Sequence, residues 1–517
     1  MGAKIRSPAA KVTRFDEWTR ANIGEVVPER MTPFSFAVWE EPMNKLLALS
    51  FRHFDLDTWR FQFIRSEDGW LTYNIGAVNH LAEQIGLPPM DAAVGATAGP
   101  LAPRGRIRWL RLLRHARGLA RSSWGQVRLA RRFETARVQA REIGARYRAR
   151  ARFADDPAVL IEQAYAAYRE LECFLALYAD ATAAAFSTYV LLERASARLA
   201  PGVNPPSLLR SEGVAVTGIA QAVLAAAARA EDERALAEFL EEFGHRGWQE
   251  LELANPSWRS DPSAVLAVAA RYRDAAARGE PRVDAGAPAA PAGADPRARL
   301  GGWRGLVLRA LGARAGEFAA IRENVKHEFY RPIDAIRALV QRAAALLEAG
   351  GLLEAAADMF FLDPGELRAL TDGDAPAELR ALAARRRADW AGRQLDGDGP
   401  GPAVQRPAHL RGVGASPGEA VGTARVLRGP DQVGRLGVGD ILVVEALDIG
   451  WTPVFGLLGG IVTSVGGVLS HPCTVAREMR VPVVAGVASS QTLIRDGDRV
   501  RIDGTAGDVE LLLAAGA

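Results

Sequence analysis

Thr463-Ser-Val-Gly-Gly-Val-Leu-Ser-His-Pro-Cys-Thr-Val-Ala-Arg-Glu-Met-Arg-Val-Pro-Val483 decides how this chain of 517 residues is read. The apolar run Gly460-Ile-Val-Thr463 that leads into it has the length and composition of a buried strand. Gly466 and Gly467 then allow a tight turn that a Cβ would obstruct. Ser470 is a good helix N-cap, and Pro472 is tolerated in a first turn because its missing N–H would find no partner there. His471 is thereby expected at a helix N-terminus, where unpaired N–H groups and the positive end of the helix dipole favour a phosphoryl group. A histidine so placed can act as a nucleophile and carry phosphate covalently. The plainer alternative is a cap histidine that hydrogen-bonds a loop. Cys473 reads as a small packing residue.

Outward from this stretch, short β-rich runs occur at Gly422–Leu427, Asp440–Val444, Ile461–Thr463, Val481–Val484 and Arg499–Ile502, separated by turns and one helix. They predict a small α/β domain over residues 410–517. Residues 396–409 are rich in Gly and Pro and predict a hinge, which a group shuttling between two sites requires. Helical periodicity dominates before the hinge, at 157–200, 213–243, 262–277 and 304–350, while 51–87 is mixed and suggests short strands. Residues 1–395 are therefore expected to form a large, mostly helical domain, with an internal linker near 279–297. The fold class is an α body followed by an α/β tail.

Composition narrows the options. An apolar content of 49% supports real cores, and two cysteines, Cys173 and Cys473, exclude a disulfide framework and a cysteine metal site. No signal peptide or span of about 18 apolar residues stands out, the nearest run being Val214–Ala228, so a cytoplasmic protein is expected. The formal charge is only +3, yet residues 104–152 hold sixteen arginines against two acids, Glu134 and Glu142. That density suits nucleic acid, an anionic surface, an acidic partner or a solvated helix face. Nucleic-acid motifs and stacking aromatics are missing, so no clear nucleic-acid or membrane partner is implied. The face is read as an amphipathic helix that buries Trp109, Leu110, Leu112, Leu113 and Leu119 on one side.

Three further groups carry candidate chemistry. Arg322 and Lys326 are four apart and share a helix face, so they could clamp a transferring phosphoryl group; the alternative is a solvated face with Glu323 and Glu328 as nearby acids. His245 and Arg246 lie between Gly244 and Gly247, which lets side chains approach a ligand closely. His245 could take a hydroxyl proton as general base and Arg246 could bind phosphate. Glu250 and Glu252 are expected to order this loop, with Glu250 a candidate substrate contact. No metal-ligand cluster is legible.

Gly466, Gly467, Ser470, His471, Ala476, Arg477, Glu478 and Val481-Pro482-Val483 together resemble the phosphohistidine swivelling domain shared by phosphoenolpyruvate synthase, pyruvate phosphate dikinase and rifampicin phosphotransferase. Asp448-Ile-Gly-Trp-Thr-Pro453 and the opening Gly414-Ala-Ser-Pro-Gly418 are similar to further segments of that domain. Pro472-Cys473 departs from the small apolar residues usual there. In the body, Trp18–Pro28, Gly244-His-Arg-Gly247 and Arg322-Glu-Asn-Val-Lys326 resemble the substrate-binding region of the rifampicin phosphotransferase family, with Trp248 and Gln249 replacing the usual Pro-Gly.

The resemblance implies a carrier histidine, His471, supported by Gly466, Gly467, Ser470 and Arg477, and an acceptor site using Arg322, Lys326, His245, Arg246 and Glu250. Nothing resembling the family's ATP-grasp module or a Walker A pattern is found. The expectation is therefore a phosphotransferase component that receives phosphate from ATP, with Mg²⁺, through a separate ATP-grasp partner. It would pass the phosphate to a hydroxyl of a small, antibiotic-like or secondary-metabolite acceptor. The alternatives are a non-catalytic ligand-binding protein or a phosphocarrier subunit on the same fold.

Overall fold

The computed structural model describes residues 15, 17–20, 23–87, 108–209, 214–215, 218–220, 222–223, 233–279, 301–374, 376–395 and 406–512. The expected linkers near 279–297 and at 396–409 fall outside these residues, apart from 279 and 406–409.

One helix of 48 residues, Gly302–Ala349, is the spine of the body. It packs against the helices Leu129–Phe153, Pro157–Glu170 and Glu172–Leu199. Ile336, Leu339, Ala343 and Leu347 recur at three- and four-residue spacing on its buried face, where they meet Leu160, Ala167 and Phe174. The single periodic run expected over 157–200 is two helices, parted at Leu171. The second of them, Glu172–Leu199, is long and apolar enough to cross a membrane by length and composition. In this fold its alanines, Ala179, Ala181, Ala184 and Ala185, are buried against neighbouring helices. The mixed region supplies two strands of a small antiparallel sheet, β2 (Ile64–Glu67) and β3 (Trp70–Asn74), which β1 (Trp18–Thr19) joins, with β3 central.

The tail is an eight-stranded sheet ordered β4-β11-β10-β6-β7-β8-β9-β5. Its strands are β4 (His409–Arg411), β5 (Val413–Ser416), β6 (Glu419–Val426), β7 (Ile441–Val444), β8 (Gly460–Thr463), β9 (Val483–Ala485), β10 (Arg499–Asp503) and β11 (Asp508–Leu511). β6 to β9 run parallel, and antiparallel strands close both flanks. Every residue of β7 and β8 is buried, which is why they read as unbroken apolar runs. Alternation still sorts their side chains between two cores. Ile441 and Val443 join Val500 and Ile502 on one side. Leu442 and Val444 join Trp451, Phe455 and Val475 on the other.

That second core does not end at the tail. It continues into Phe239, Trp258 and Tyr272 of the body. Tyr272 Oη donates to Pro453 O at 2.9 Å, and Trp248 meets Trp451 edge-on with centroids 5.3 Å apart. The tail is thus docked on the body through a shared apolar patch.

The arginine-rich segment departs from its expected form. It is three helices, Trp109–Arg114, Ala116–Val127 and Leu129–Phe153, and Leu110 and Leu113 are 80% and 66% exposed. The second helix packs on Arg52–Phe54 and Glu172–Leu199, but Leu110 and Leu113 of the first stay uncovered, so the expected apolar face is not buried as one. The third reaches the spine.

Candidate functional site

The helix His471–Met479 begins as the sequence suggests. Ser470 is its N-cap, in extended conformation, and Ser470 Oγ accepts from Cys473 N at 3.4 Å. Ser470 N donates to Gly467 O at 2.9 Å, closing the turn before the helix. Gly466 has φ +141°, a conformation open only to glycine at low cost. Gly467 has no positive φ, so the conformational requirement rests on one glycine of the pair. Cys473 is buried. Arg477 fastens the turn: Nη1 donates to Ala415 O at 2.8 Å and to Val468 O at 2.7 Å, and Nη2 to Thr474 Oγ1 at 3.0 Å. His471 is the first residue of this helix, and the placement of its imidazole lies outside the described side chains.

Ser470 and Pro472, on either side of His471, line a cavity of about 100 Å³ between tail and body. The tail also contributes Leu469 and Asp448; the body contributes Glu250, Arg322, Glu323 and Lys326. The geometry therefore gathers both cations of the Arg-Glu-x-x-Lys segment, four residues apart on the spine helix, below the N-terminus of the histidine helix. Arg322 is positioned by Glu323 Oε1, at 2.9 Å from Nε and 2.5 Å from Nη2, and it also donates to Leu469 O across the interface. The alternative of a solvated face does not hold: Glu323 and Glu328 are both buried. Lys326 Nζ lies 5.8 Å from the ring centroid of Tyr330, another cavity residue.

Asp448 is a buried cavity carboxylate that the sequence marked as part of a segment but gave no role. Its Oδ1 accepts from Gly450 N at 2.7 Å, and its Oδ2 accepts from Gln249 N of the body at 2.6 Å. Burial, reinforced by the negative charge of Glu250, raises its pKa to about 7 against the pull of these two N–H groups and Lys326. Glu323 also escaped the sequence reading as more than a neighbouring acid, although it sits inside the quoted segment. Long-range burial is what distinguishes it, and spacing carries no trace of that.

The Gly244–Glu250 loop is organised differently from expectation. His245 is fully buried and lines no part of the cavity. Its Nε2 donates to His327 O at 3.0 Å, and burial, aided by the charges of His327, Arg331 and Arg246, holds its pKa well below 6.5. With one ring nitrogen donating to a carbonyl and the other enclosed, it is not placed to take a proton from an acceptor. Arg246 is also fully buried. It pairs bidentately with Glu250, with Nη2 to Oε2 at 2.8 Å, and reaches His327 Nδ1 at 3.1 Å, so its charge is consumed inside the fold and does not face a phosphate. Of this loop's candidates only Glu250 reaches the cavity.

Among the described residues, Glu242, His327 and Glu328 form one group whose ligand atoms could surround a cation. Their environment argues against that use. Arg331 contacts both carboxylates at 2.9 Å, and Arg141 reaches Glu328 at 2.8 Å and Glu242 at 3.2 Å. Burial disfavours the Glu242 charge, but His327, Arg331 and Arg141 outweigh it and hold the carboxyl at about 2. These acids already have their counter-ions, so the group does not fit a divalent metal.

With this geometry in hand, similarity to known proteins gives the class. Residues 436–507 match the family described as PEP-utilising enzyme, mobile domain, which spans the cavity's tail side and His471. Residues 208–323 match the rifampicin phosphotransferase fourth domain, which spans the Gly244–Glu250 loop and Arg322. Over these two stretches the chain is similar to the rifampicin phosphotransferase and PEP-utilising enzyme-like family.

Among individual relatives, the prodigiosin synthesizing transferase PigC of Serratia marcescens is 33% identical over 296 residues, covering 52% of this chain and 32% of that protein. A rifampicin phosphotransferase of Streptomyces sviceus is 29% identical over 306 residues, covering 54% of this chain and 34% of that protein. One from Bacillus cereus is 44% identical over 101 residues, 20% of this chain and 12% of its own length. The chain therefore spans about a third of the length of the relatives that match over half of it.

Proposed function

We propose that this chain carries a phosphoryl group on His471 and transfers it to a hydroxyl of a small organic acceptor. The carrier is residues 410–517, moving about a hinge at 396–409; residues 1–395 hold the acceptor. The observation that supports this most is the cavity that brings the N-terminus of the histidine helix over Arg322, Lys326 and Glu250. ATP with Mg²⁺, bound by a separate ATP-grasp partner, supplies the phosphoryl group.

In the transfer step the acceptor oxygen bonds to phosphorus as the N–P bond breaks, and the electron pair returns to the imidazole nitrogen. Arg322 and Lys326 neutralise the charge spread over the moving phosphoryl oxygens. The hydroxyl proton passes to Asp448, whose raised pKa matches a base working near neutral pH; a carboxylate accepting two N–H groups still has lone pairs to offer. His245 and Arg246 serve as buried braces that hold Glu250 in place.

The test is to incubate the chain with an ATP-grasp partner and radiolabelled ATP. Acid-labile label should appear on the wild type and not on His471→Ala. Label that persists in the variant moves the carrier site elsewhere. No label with any donor favours a ligand-binding role.

A further inference from the structure

On the opposite side of the Arg246–His327 pair from the transfer cavity lies a larger cleft of about 580 Å³. It is bounded by the helices Leu129–Phe153 and Glu233–Phe243, the spine helix and Arg259. Five guanidinium groups face it (Arg141, Arg148, Arg152, Arg259 and Arg331) against three carboxylates. Part of the sequence's arginine run, which the proposed function leaves unused, is gathered here.

The pairing within the cleft is uneven. Arg141 and Arg331 are engaged by Glu242 and Glu328 at ordinary ion-pair distances. Arg148 and Arg259 are held more loosely: Arg148 Nε donates to Gly144 O at 3.4 Å and Arg259 Nη2 to Glu241 O at 3.3 Å. They share the buried Asp334 with Arg337, at 3.5, 3.7 and 3.8 Å, so one carboxylate serves three cations. Arg259 Nε is buried without a hydrogen-bond partner. Burial, together with the positive charges around them, lowers the pKa of both Arg148 and Arg259. Arg152 stands at the exposed rim. A cluster of guanidinium groups among which one carboxylate is divided over three cations is an arrangement suited to recognising a further oxyanion. The uncharged lining is Ala145 and Ala149, which offers no ring for a nucleobase to stack on.

We propose that this cleft binds a compact soluble oxyanion of charge two or more, a phosphate ester or a polycarboxylate, through Arg148, Arg152 and Arg259. The site is separate from the transfer cavity and does not depend on the role given to His471.

Calorimetric titration of the full chain at low ionic strength, with inorganic pyrophosphate and separately with citrate, tests it. Saturable one-to-one binding of either anion is expected, and the preferred probe tells phosphate from carboxylate. Arg152→Gln, at an exposed position, should weaken binding at least fivefold without changing the melting temperature, and Arg148→Gln with Arg152→Gln at least twentyfold. Lys326→Ala should leave affinity within twofold. Non-saturating heats with both anions overturn the proposal. So does affinity untouched by Arg152→Gln, or affinity abolished by Lys326→Ala, which would move the site to the transfer cavity.

Discussion

Two histidines of this chain lie within a few residues of glycines and an arginine, and the fold uses them in opposite ways. Around His471, Gly466 turns the chain, Ser470 caps a helix and the flanking residues line a cavity. Around His245, Gly244 and Gly247 let the backbone pack tightly: a Cβ at Gly244 would lie 2.2 Å from Leu240 O, and one at Gly247 would lie 3.0 Å from Pro256 O. The first set of glycines presents a residue at the start of a helix; the second encloses one. Glycines near a histidine are therefore not themselves a signal of reactivity. The residues C-terminal to the histidine decide, because a helix opening at that position puts the residue at the positive end of a helix dipole and a packed loop does not.

The sharpest way to break this contrast is to exchange truncations. Arg246→Ala leaves Glu250 buried without its bidentate partner and should lower unfolding free energy by about 3–5 kcal/mol. His471→Ala should change it by less than about 0.5 kcal/mol while removing phosphoryl transfer. Urea titrations of both variants decide; equal losses would erase the distinction.

Next in size is the titration of Asp448. Its pKa is raised from an ordinary 3.8 to about 7 in the docked fold, so the folded state holds the proton more tightly. Stability from this group is full below pH 4, declines as pH rises towards 7 and is level above. The difference in unfolding free energy between wild type and Asp448→Asn should therefore shift by up to about 4 kcal/mol across that window. Parallel pH profiles for the two proteins would remove Asp448 from the account.

Lys326→Ala should slow delivery to the acceptor by about 100-fold, as loss of one preorganised charge does, and leave charging of His471 intact. Single-turnover chase of labelled protein separates the two steps, and equal slowing of both would contradict a clamp confined to the acceptor side. The smallest effect is expected at the cap: Ser470→Ala should cost about 1 kcal/mol, read from the thermal melt.

Much of the tail was legible because its determinants are local. The turn at Gly466, the cap at Ser470 and the apolar runs of β7 and β8 each depend on residues a few positions apart. β4, β5 and β11 were missed: β4 reads His-Leu-Arg and β5 Val-Gly-Ala-Ser, neither an apolar run, and β11 reads Asp-Val-Glu-Leu, which gains meaning only once paired with β10. In the body the spine helix was evident, whereas the fate of its charges was not. Periodicity puts Arg322 and Lys326 on one face but is silent on whether that face meets water or the tail. Arg246 looked available for a ligand because its partner Glu250, four residues on, and His327, 81 residues on, converge only in three dimensions. The Leu110 and Leu113 positions failed for the converse reason: an amphipathic pattern implies a face, not a neighbour to cover it.

Ser470 and Pro472 line the cavity from the tail side, so on the proposed function its ceiling is the carrier segment itself. A space near 100 Å³ accommodates a phosphoryl group, while drug-sized ligands occupy sites of roughly 300–1,000 Å³. On the proposed function, an acceptor of that size would be seated while the ceiling is lifted, and arrival of the loaded carrier would then shut the chamber behind it. Loading order and exclusion of bulk solvent would both come from a single movement, with hydrolysis of the cargo held off by the part that delivers it.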